Sequence, residues 1–517
     1  MAERHEKRRL VANTLASTVA QLSALAIAFA LAPILIRHFG SHAYGAYMLV
    51  ASVAAFTLLF DFGLGPAVEK LLSEYLAAGR NTDAGALMAS VTLAFAGAGV
   101  LVLAVDFSLA AGAAHVFHFS VDEQLLLERL LQIAGLGALV WWPLSVGARA
   151  LGGLQRYTQV AAVTAGMAVG NAIAAIAVVV SGRGPLALAI ASNVVNVLGM
   201  AVMFVLARRQ LAARGVPAAR PSRVALAAAL AFSGPVFLLQ LAVQVLYHHT
   251  DRLLLGMFVG SVAVTLYEGP ARLVALIVQL TGFGNTALLP FASQLEATRR
   301  TETLDALVLR GSRYVSAFVA PLALLLAVLA RPLLVTWLGP AFAAAELPTV
   351  LLTGLQVVLV SLSVGHTVVV ATGKLPGRLP VILGVVGVNL ILSVALVKPF
   401  GMTGVAVGTV VASLIDYPLH IRYLVRHVGL HYGSFVREVV LPVYPLLLLP
   451  AAAAVAARTL GLTVTLAGTA ATFVLCALLY WMVFLGVMVS RAERDGLIDT
   501  ARSLLSRPGA EAPREAP

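Results

Sequence analysis

The chain has 517 residues, 60% hydrophobic and only 11% charged, with mean hydropathy +0.95; soluble domains carry about a quarter charged residues, so the composition excludes a soluble globular protein and calls for an all-α polytopic membrane protein. The excess of 35 Lys and Arg over 23 Asp and Glu, a net charge of +12, is better explained by basic loops beside the membrane than by a nucleic-acid partner. The single cysteine, Cys476, leaves no disulfide framework or cysteine metal site, and with no metal-ligand spacing, phosphate-cradling Gly-rich loop or nucleophile elbow, neither a cofactor nor an enzyme activity is expected.

In chain order, the basic start MAERHEKRRL resembles the opening of a signal peptide, but the apolar stretch after it ends in ProIleLeuIleArg without a small-residue cleavage site, so it reads as an uncleaved first helix. A bilayer core needs about 20 apolar residues per helix. About fourteen such runs occur, near 12–36, 45–66, 85–107, 126–148, 158–181, 185–207, 227–248, 262–288, 312–336, 346–371, 379–397, 403–424, 438–459 and 463–489. With the N-terminus inside, most of the 35 basic residues fall in inner segments. Arg37, Arg183, Arg252, Arg331, Lys398 and Arg458 lie outside. This bias predicts an even helix count with both termini cytoplasmic.

A short repeat divides the chain. Gly40-Ser41-x-Ala43-x-x-x-Tyr47 recurs as Gly260-Ser261-x-Ala263-x-x-x-Tyr267, at an offset of 220. Two six-helix lobes, 1–207 and 227–430, are therefore expected as a parallel repeat. A flexible basic linker joins them at 208–226, two helices follow at 431–490, and a cytoplasmic tail occupies 491–517. The outward loops are short. The longest, at about 108–125, has no room for a folded domain, which argues against a membrane polymerase or ligase.

Positions four apart share a helix face. Asn13, Ser17 and Gln21 make one polar line in the first helix, and Gln240, Gln244 and His248 make another in the seventh. As walls of one hydrated cavity they would bind substrate; the other reading is hydrogen bonding between helices. Arg37 and Arg252 run against the positive-inside bias, and a guanidinium matches phosphate oxygens in bidentate fashion. Against a phosphate role stand a local pair of Arg252 with Asp251 and snorkelling of Arg37. Glu268 and Arg272 are i,i+4 and can pair on one face beside a kink at Gly269-Pro270, as a substrate switch or as a fixed ion pair. Glu268, Asp251 and Asp61 are the acids available for ion coupling. Asp61 can alternatively bond the turn after it. Asn193 and Asn196 face either a partner helix or the cavity, while His366 and Asp416 read as isolated.

The segment PILIRHFGSHAYGAY (33–47) followed by DFGLGPAVEK (61–70) resembles the opening of the Wzx-type polysaccharide flippases, in the multidrug/oligosaccharidyl-lipid/polysaccharide (MOP) exporter superfamily. TDRLLLGMFVG (250–260), YEGPARL (267–273), RPLLVTWLG (331–339) and PFGMTGVAV (399–407) are similar to second-half landmarks of that family, in order. The resemblance implies alternating access that moves an undecaprenyl-diphosphate-linked oligosaccharide between leaflets. It also implies membrane lipid, and the polysaccharide polymerase and export machinery, as partners. Glu268 and Arg272 are similar in position to an acidic–basic arrangement in the related lipid II flippases. Arg37 is the only arginine of the first two helices, a departure from the lipid II pattern that implies a different glycan. The runner-up is an ion-coupled multidrug or cation antiporter of the same superfamily, which would want a carboxylate deep in the first helix. A non-transporting scaffold of a sugar-export complex is a further reading, which the polar stripes argue against.

Overall fold

The structure, a computed structural model, describes the backbone at residues 2–243, 250–286, 288, 292, 295 and 301–489, and side chains from residue 25 onward except some within 232–243, 284–286 and 301–303. Among the described residues it is helical throughout, with no strand. The helices in order are α1 (Ala2–Thr57), α2 (Leu64–Ala77), α3 (Asn81–Val116), α4 (Val121–Gly153), α5 (Tyr157–Val180) and α6 (Pro185–Ala213). They continue with α7 (Arg223–Val243), α8 (Thr250–Phe258), α9 (Ser261–Thr286), α10 (Thr301–Val328), α11 (Ala330–Leu338), α12 (Glu346–Leu359), α13 (Ser363–Ala371) and α14 (Leu375–Val428). Two last spans are α15 (Tyr432–Thr459) and α16 (Leu466–Met488).

Among the described residues, eleven helical stretches are long and apolar enough to cross a membrane. Two of them join a pair of expected crossings through a glycine that leaves helical geometry, Gly40 (φ 76°) in α1 and Gly401 (φ 54°) in α14. Only glycine adopts such backbone without strain. One guanidinium proves the reversal in α1: Arg272 donates to both the Ala28 carbonyl at 2.6 Å and the Tyr44 hydroxyl at 3.1 Å, groups that a straight helix would hold roughly 24 Å apart. In α14, Asn389 donates to Thr409 across the limbs at 3.1 Å. With each limb taken separately, and α7 with α8 as the seventh, the helices follow the expected order.

The expected outer loop at 108–125 is much shorter, because α3 runs to Val116 and α4 starts at Val121 behind a Ser120–Glu123 capping box. The interlobe connection also differs from expectation. Instead of hanging free, it is strapped to the start of α3: Asn81 donates to the Arg214 carbonyl at 3.0 Å, and Ser90 and Ser222 exchange hydrogen bonds at 2.7 and 3.1 Å.

The outer surface reads as lipid-facing. On α6, Ile190, Val194, Leu198 and Val202 recur every four residues and are all exposed, an apolar stripe that water would not tolerate but lipid does. The core lies between the helices. One cluster packs Leu72, Leu87, Phe95 and Leu151 within α2–α4. A second joins Leu49, Leu127 and Leu131 to Leu255, Val264 and Val405, so that the turns at Gly40, Gly260 and Gly401 gather at one end of the bundle. That end is called here the Gly40 end, and the opposite one the Asp61 end.

Candidate functional site

The ionisable groups of α8 and α9 assemble around Glu268, which is buried. Its Oε1 accepts from Arg272 Nε at 2.7 Å, one turn along the same face, and its Oε2 lies 3.0 Å from Arg252 Nη2 on α8. Two guanidiniums therefore share one carboxylate inside the bundle. The alternative reading of Arg252, a local pair with Asp251, gives way to the pair with Glu268; Asp251 accepts a hydrogen bond from Tyr267. The helix also runs unbroken through Gly269 and Pro270, so Pro270 removes one hydrogen bond without ending α9.

Arg272 is held at its far end by α1, through Ala28 and Tyr44. The Trp337 indole donates to the neighbouring Phe29 carbonyl at 3.2 Å and stacks on the Phe29 ring. On its other side Arg272 reaches the wall of a cavity of about 360 Å³ between α1, α5 and α6. The polar lining is Tyr44, Tyr47, Asn171, Ser192 and Asn196. The two asparagines of α6 thus divide. Asn196 faces the cavity, while Asn193 donates to the Ile133 carbonyl of α4 at 3.1 Å.

The remaining sequence-predicted residues are scattered. Arg37 is exposed, in a separate cleft with His38, Thr336 and Trp337, and is not brought to Arg252. Asp61 sits at the opposite end, where its Oδ1 accepts from the Gly65 N–H at 2.6 Å and Arg149 lies 3.5 Å from its Oδ2. Asn13, Ser17, Gln21 and Gln240 lie on helical backbone, but their side chains fall outside the described residues, as do Gln244 and His248 altogether.

Three features were not picked out in the sequence. Glu123 holds the Gly40 end together: it accepts from the Ser120 N–H and hydroxyl at 2.7 and 2.9 Å, from His42 at 2.5 Å and from the Ser261 hydroxyl. The capping-box spacing Ser120-x-x-Glu123 was the available signal. Second, buried Arg378 bonds both oxygens of Asp416, at 2.7 and 2.6 Å, near the imidazoles of His366 and His420, whose rings lie tilted 6.0 Å apart. His366 and Asp416, isolated in the sequence, thus belong to one polar cluster. Third, Asp106 is buried in α3 against α4; an acid inside an apolar run is itself a signal.

A family model described as polysaccharide biosynthesis protein matches residues 10–296. Among solved structures, the chain is similar to the lipid II flippase MurJ in an inward closed conformation, with 13% identity and TM-score 0.67 over 92% of this chain and 99% of that one. It is also similar to an inward-facing multidrug resistance MATE family transporter of the MOP superfamily (15% identity, TM-score 0.62, 80% of this chain and 95% of that one). A third match is a MOP superfamily transporter from Pyrococcus furiosus, described by the reverse polarity of its binding pocket (15% identity, TM-score 0.57, 82% and 97% of the two chains). At these identities the likeness is one of fold. No curated protein sequence matches the chain.

Proposed function

The chain belongs to the polysaccharide biosynthesis protein family, and from that premise we propose that it is a flippase. It carries a polyprenyl-diphosphate-linked oligosaccharide across the bacterial cytoplasmic membrane by alternating access, during synthesis of a cell-surface polysaccharide. The observation that carries this reading is the shared carboxylate of Glu268 between Arg252 and Arg272. A diphosphate needs charge-assisted donors held in place without water. Glu268 keeps the two guanidiniums oriented while the site is empty of substrate, and a phosphate entering beside Arg272 takes over part of that pairing.

In this reading residues 1–207 and 227–430 are the two lobes, 208–226 is a cytoplasmic linker, 431–490 holds the two added helices and 491–517 is a cytoplasmic tail. The bias of basic residues supports an orientation with the Gly40 end outside. The bonds around Glu123 then shut the outer face. Glu268 and Asp251 are the acids closest to the arginines, and the amide lines of Asn13, Ser17, Gln21, Gln240, Gln244 and His248 extend the path. Arg37, in its own cleft, meets the headgroup at the outer exit. The substrate's lipid and the polymerase that consumes it are the partners.

The antiporter alternative fits less well. Among the described residues, the wall of the cavity beside Arg272 has a cation and no carboxylate, whereas a site for organic cations needs the opposite charge. The test is a strain lacking this gene, complemented with the wild type, Arg252→Ala or Arg272→Ala. Lipid-linked oligosaccharide is measured in each leaflet. Intermediates trapped on the inner leaflet and released only by the wild type are expected. Normal outer exposure in the deletion strain, with no redundant flippase, overturns the reading and puts the antiporter first.

A further inference from the structure

At the Gly40 end, α1 and α4 meet α8 and α9 along a seam, and one loop reaches across it to cap a helix on the far side. Residues 117–120 join α3 to α4. There the His118 N–H donates to the Gly256 carbonyl at 3.2 Å, and His118 Nδ1 is bonded to the Met257 carbonyl. Both carbonyls lie in the last turn of α8, among the acceptors that a helix end leaves without partners of its own. The approach is close: a Cβ on Gly260 would meet the His118 carbonyl oxygen at 3.1 Å. The opposite end of α8 carries Arg252 against Glu268. A carbonyl cannot donate, so Nδ1 holds the proton of the Met257 bond. Exposed His118 can take a second proton from water at its other ring nitrogen.

We propose that His118 is a proton-operated clamp on α8 that shuts the Gly40 end. An imidazolium there sets a full positive charge against the negative end of the α8 dipole and makes the Met257 bond charge-assisted. That attraction exists only while the loop touches α8, so a proton on His118 favours the shut seam over the open one. The advantage is full at acid pH and is lost as pH rises through the imidazole range, between about 5 and 8. The other charged groups at this end are arranged differently. His42 and Glu123 are bonded to each other on the same side of the seam, and the Ser261 hydroxyl that meets both from α9 is uncharged. His115 and Asp122 flank the loop on α3 and α4, also on its own side. Lys398 of α14 lies 5.3 Å from the Phe258 ring and accompanies α8 with the seam open or shut. Asp251 and Arg252, at the far end of α8, are engaged by Tyr267 and Glu268. In the flippase reading, on which the direction of this step rests, the Gly40 end faces outside. Acid on that side then shuts the carrier once the lipid-linked glycan has left, which ties the return step to a membrane proton gradient.

Hydrogen exchange at the His118 N–H tests the clamp, because that amide must leave Gly256 before it exchanges. The full chain in nanodiscs is exchanged at about pH 5.5 and about pH 8, either side of the imidazole range, with intrinsic exchange rates divided out. The Arg80 N–H, bonded to the Tyr75 carbonyl at 2.8 Å between α2 and α3, serves as the internal reference. In the wild type, protection at His118 is expected to be about fivefold greater at the acid pH, with Arg80 unchanged. His118→Gln keeps an amide donor but cannot titrate, and the same N–H should then show no difference between the two pH values. His118→Lys carries a fixed charge and should show the acid level of protection at both. Wild-type protection that is equal at the two pH values or greater at the higher one overturns the clamp, as does a pH difference that survives in His118→Gln. Lost protection at Arg80 marks a variant as misfolded, and the wild type's own pH dependence then decides. Exchange at His118 reads the clamp alone, whereas the deletion strain reads the flippase, so the failure of one is distinct from the failure of the other.

Discussion

Thr265 donates its hydroxyl to the carbonyl of Ser41 at 2.5 Å, joining the two copies of the repeated Gly-Ser-x-Ala motif face to face. Both copies turn at a glycine with positive φ, Gly40 at 76° and Gly260 at 126°, so the repeat encodes one turn used twice. Glu123 ties the same seam from a third direction, through His42 and Ser261.

Glu123→Ala should therefore loosen the Gly40 end. Losing hydrogen bonds to a charged acceptor costs about 2 kcal/mol, or roughly a thirtyfold shift toward the open arrangement. With Cys476 replaced by Ala and a reporter cysteine at Ser41, thiol labelling of Glu123→Ala should run many-fold faster than in its parent. Equal rates would remove Glu123 as a latch.

Gly45 tests the same seam by sterics. A Cβ there would be driven into the Ser261 backbone and the Thr265 hydroxyl, and backbone on the far side does not yield as a flexible side chain does. Gly45→Val should hold the seam apart, so the Ser41 reporter labels faster even with Glu123 intact. Slower or unchanged labelling would mean that the two turns close by another route.

The membrane class, the order of crossings and the repeat were legible because they rest on local composition and short periodicities. So was half of the ion cluster: Glu268 and Arg272 are one helical turn apart. Its other half was not. Arg252 and Asp251 are neighbours in sequence, but α8 points them to different partners, Glu268 and Tyr267, and only the packing of α8 on α9 decides that. The Arg378–Asp416 pair is 38 residues apart and exists only because α14 doubles back at Gly401. Asn193 and Asn196, three residues apart on α6, likewise parted only once α4 and α5 were in place.

Removing Glu268 should be worse for stability than removing either of its partners. Glu268→Ala leaves Arg252 and Arg272 buried side by side without their shared carboxylate, and breaking a buried ion pair in this way costs about 3–5 kcal/mol. Arg252→Ala leaves Glu268 still bonded to Arg272 and should cost less. Glu268→Gln keeps the side-chain oxygen that accepts from Arg272 and should fall between them. Thermal unfolding in one detergent orders the three variants; a melting temperature for Glu268→Ala above that of Arg252→Ala would contradict the shared-carboxylate account.

The Arg378–Asp416 pair separates the cost of breaking an ion pair from the value of having one. Arg378 is 3% exposed as a residue and sits beside the imidazoles of His366 and His420. Asp416→Ala removes the carboxylate whose two oxygens accept from that buried guanidinium and should destabilise the protein by about 3–5 kcal/mol. Replacing both partners with apolar residues of similar volume, Arg378→Met with Asp416→Leu, removes the desolvation penalty together with the attraction and should restore most of the loss. If the double variant melts near the wild type and also supports glycan export, the pair is structural. A double variant that melts near the wild type but fails in export assigns the pair to the transport cycle, and one that melts as low as Asp416→Ala shows that the imidazoles depend on its charge.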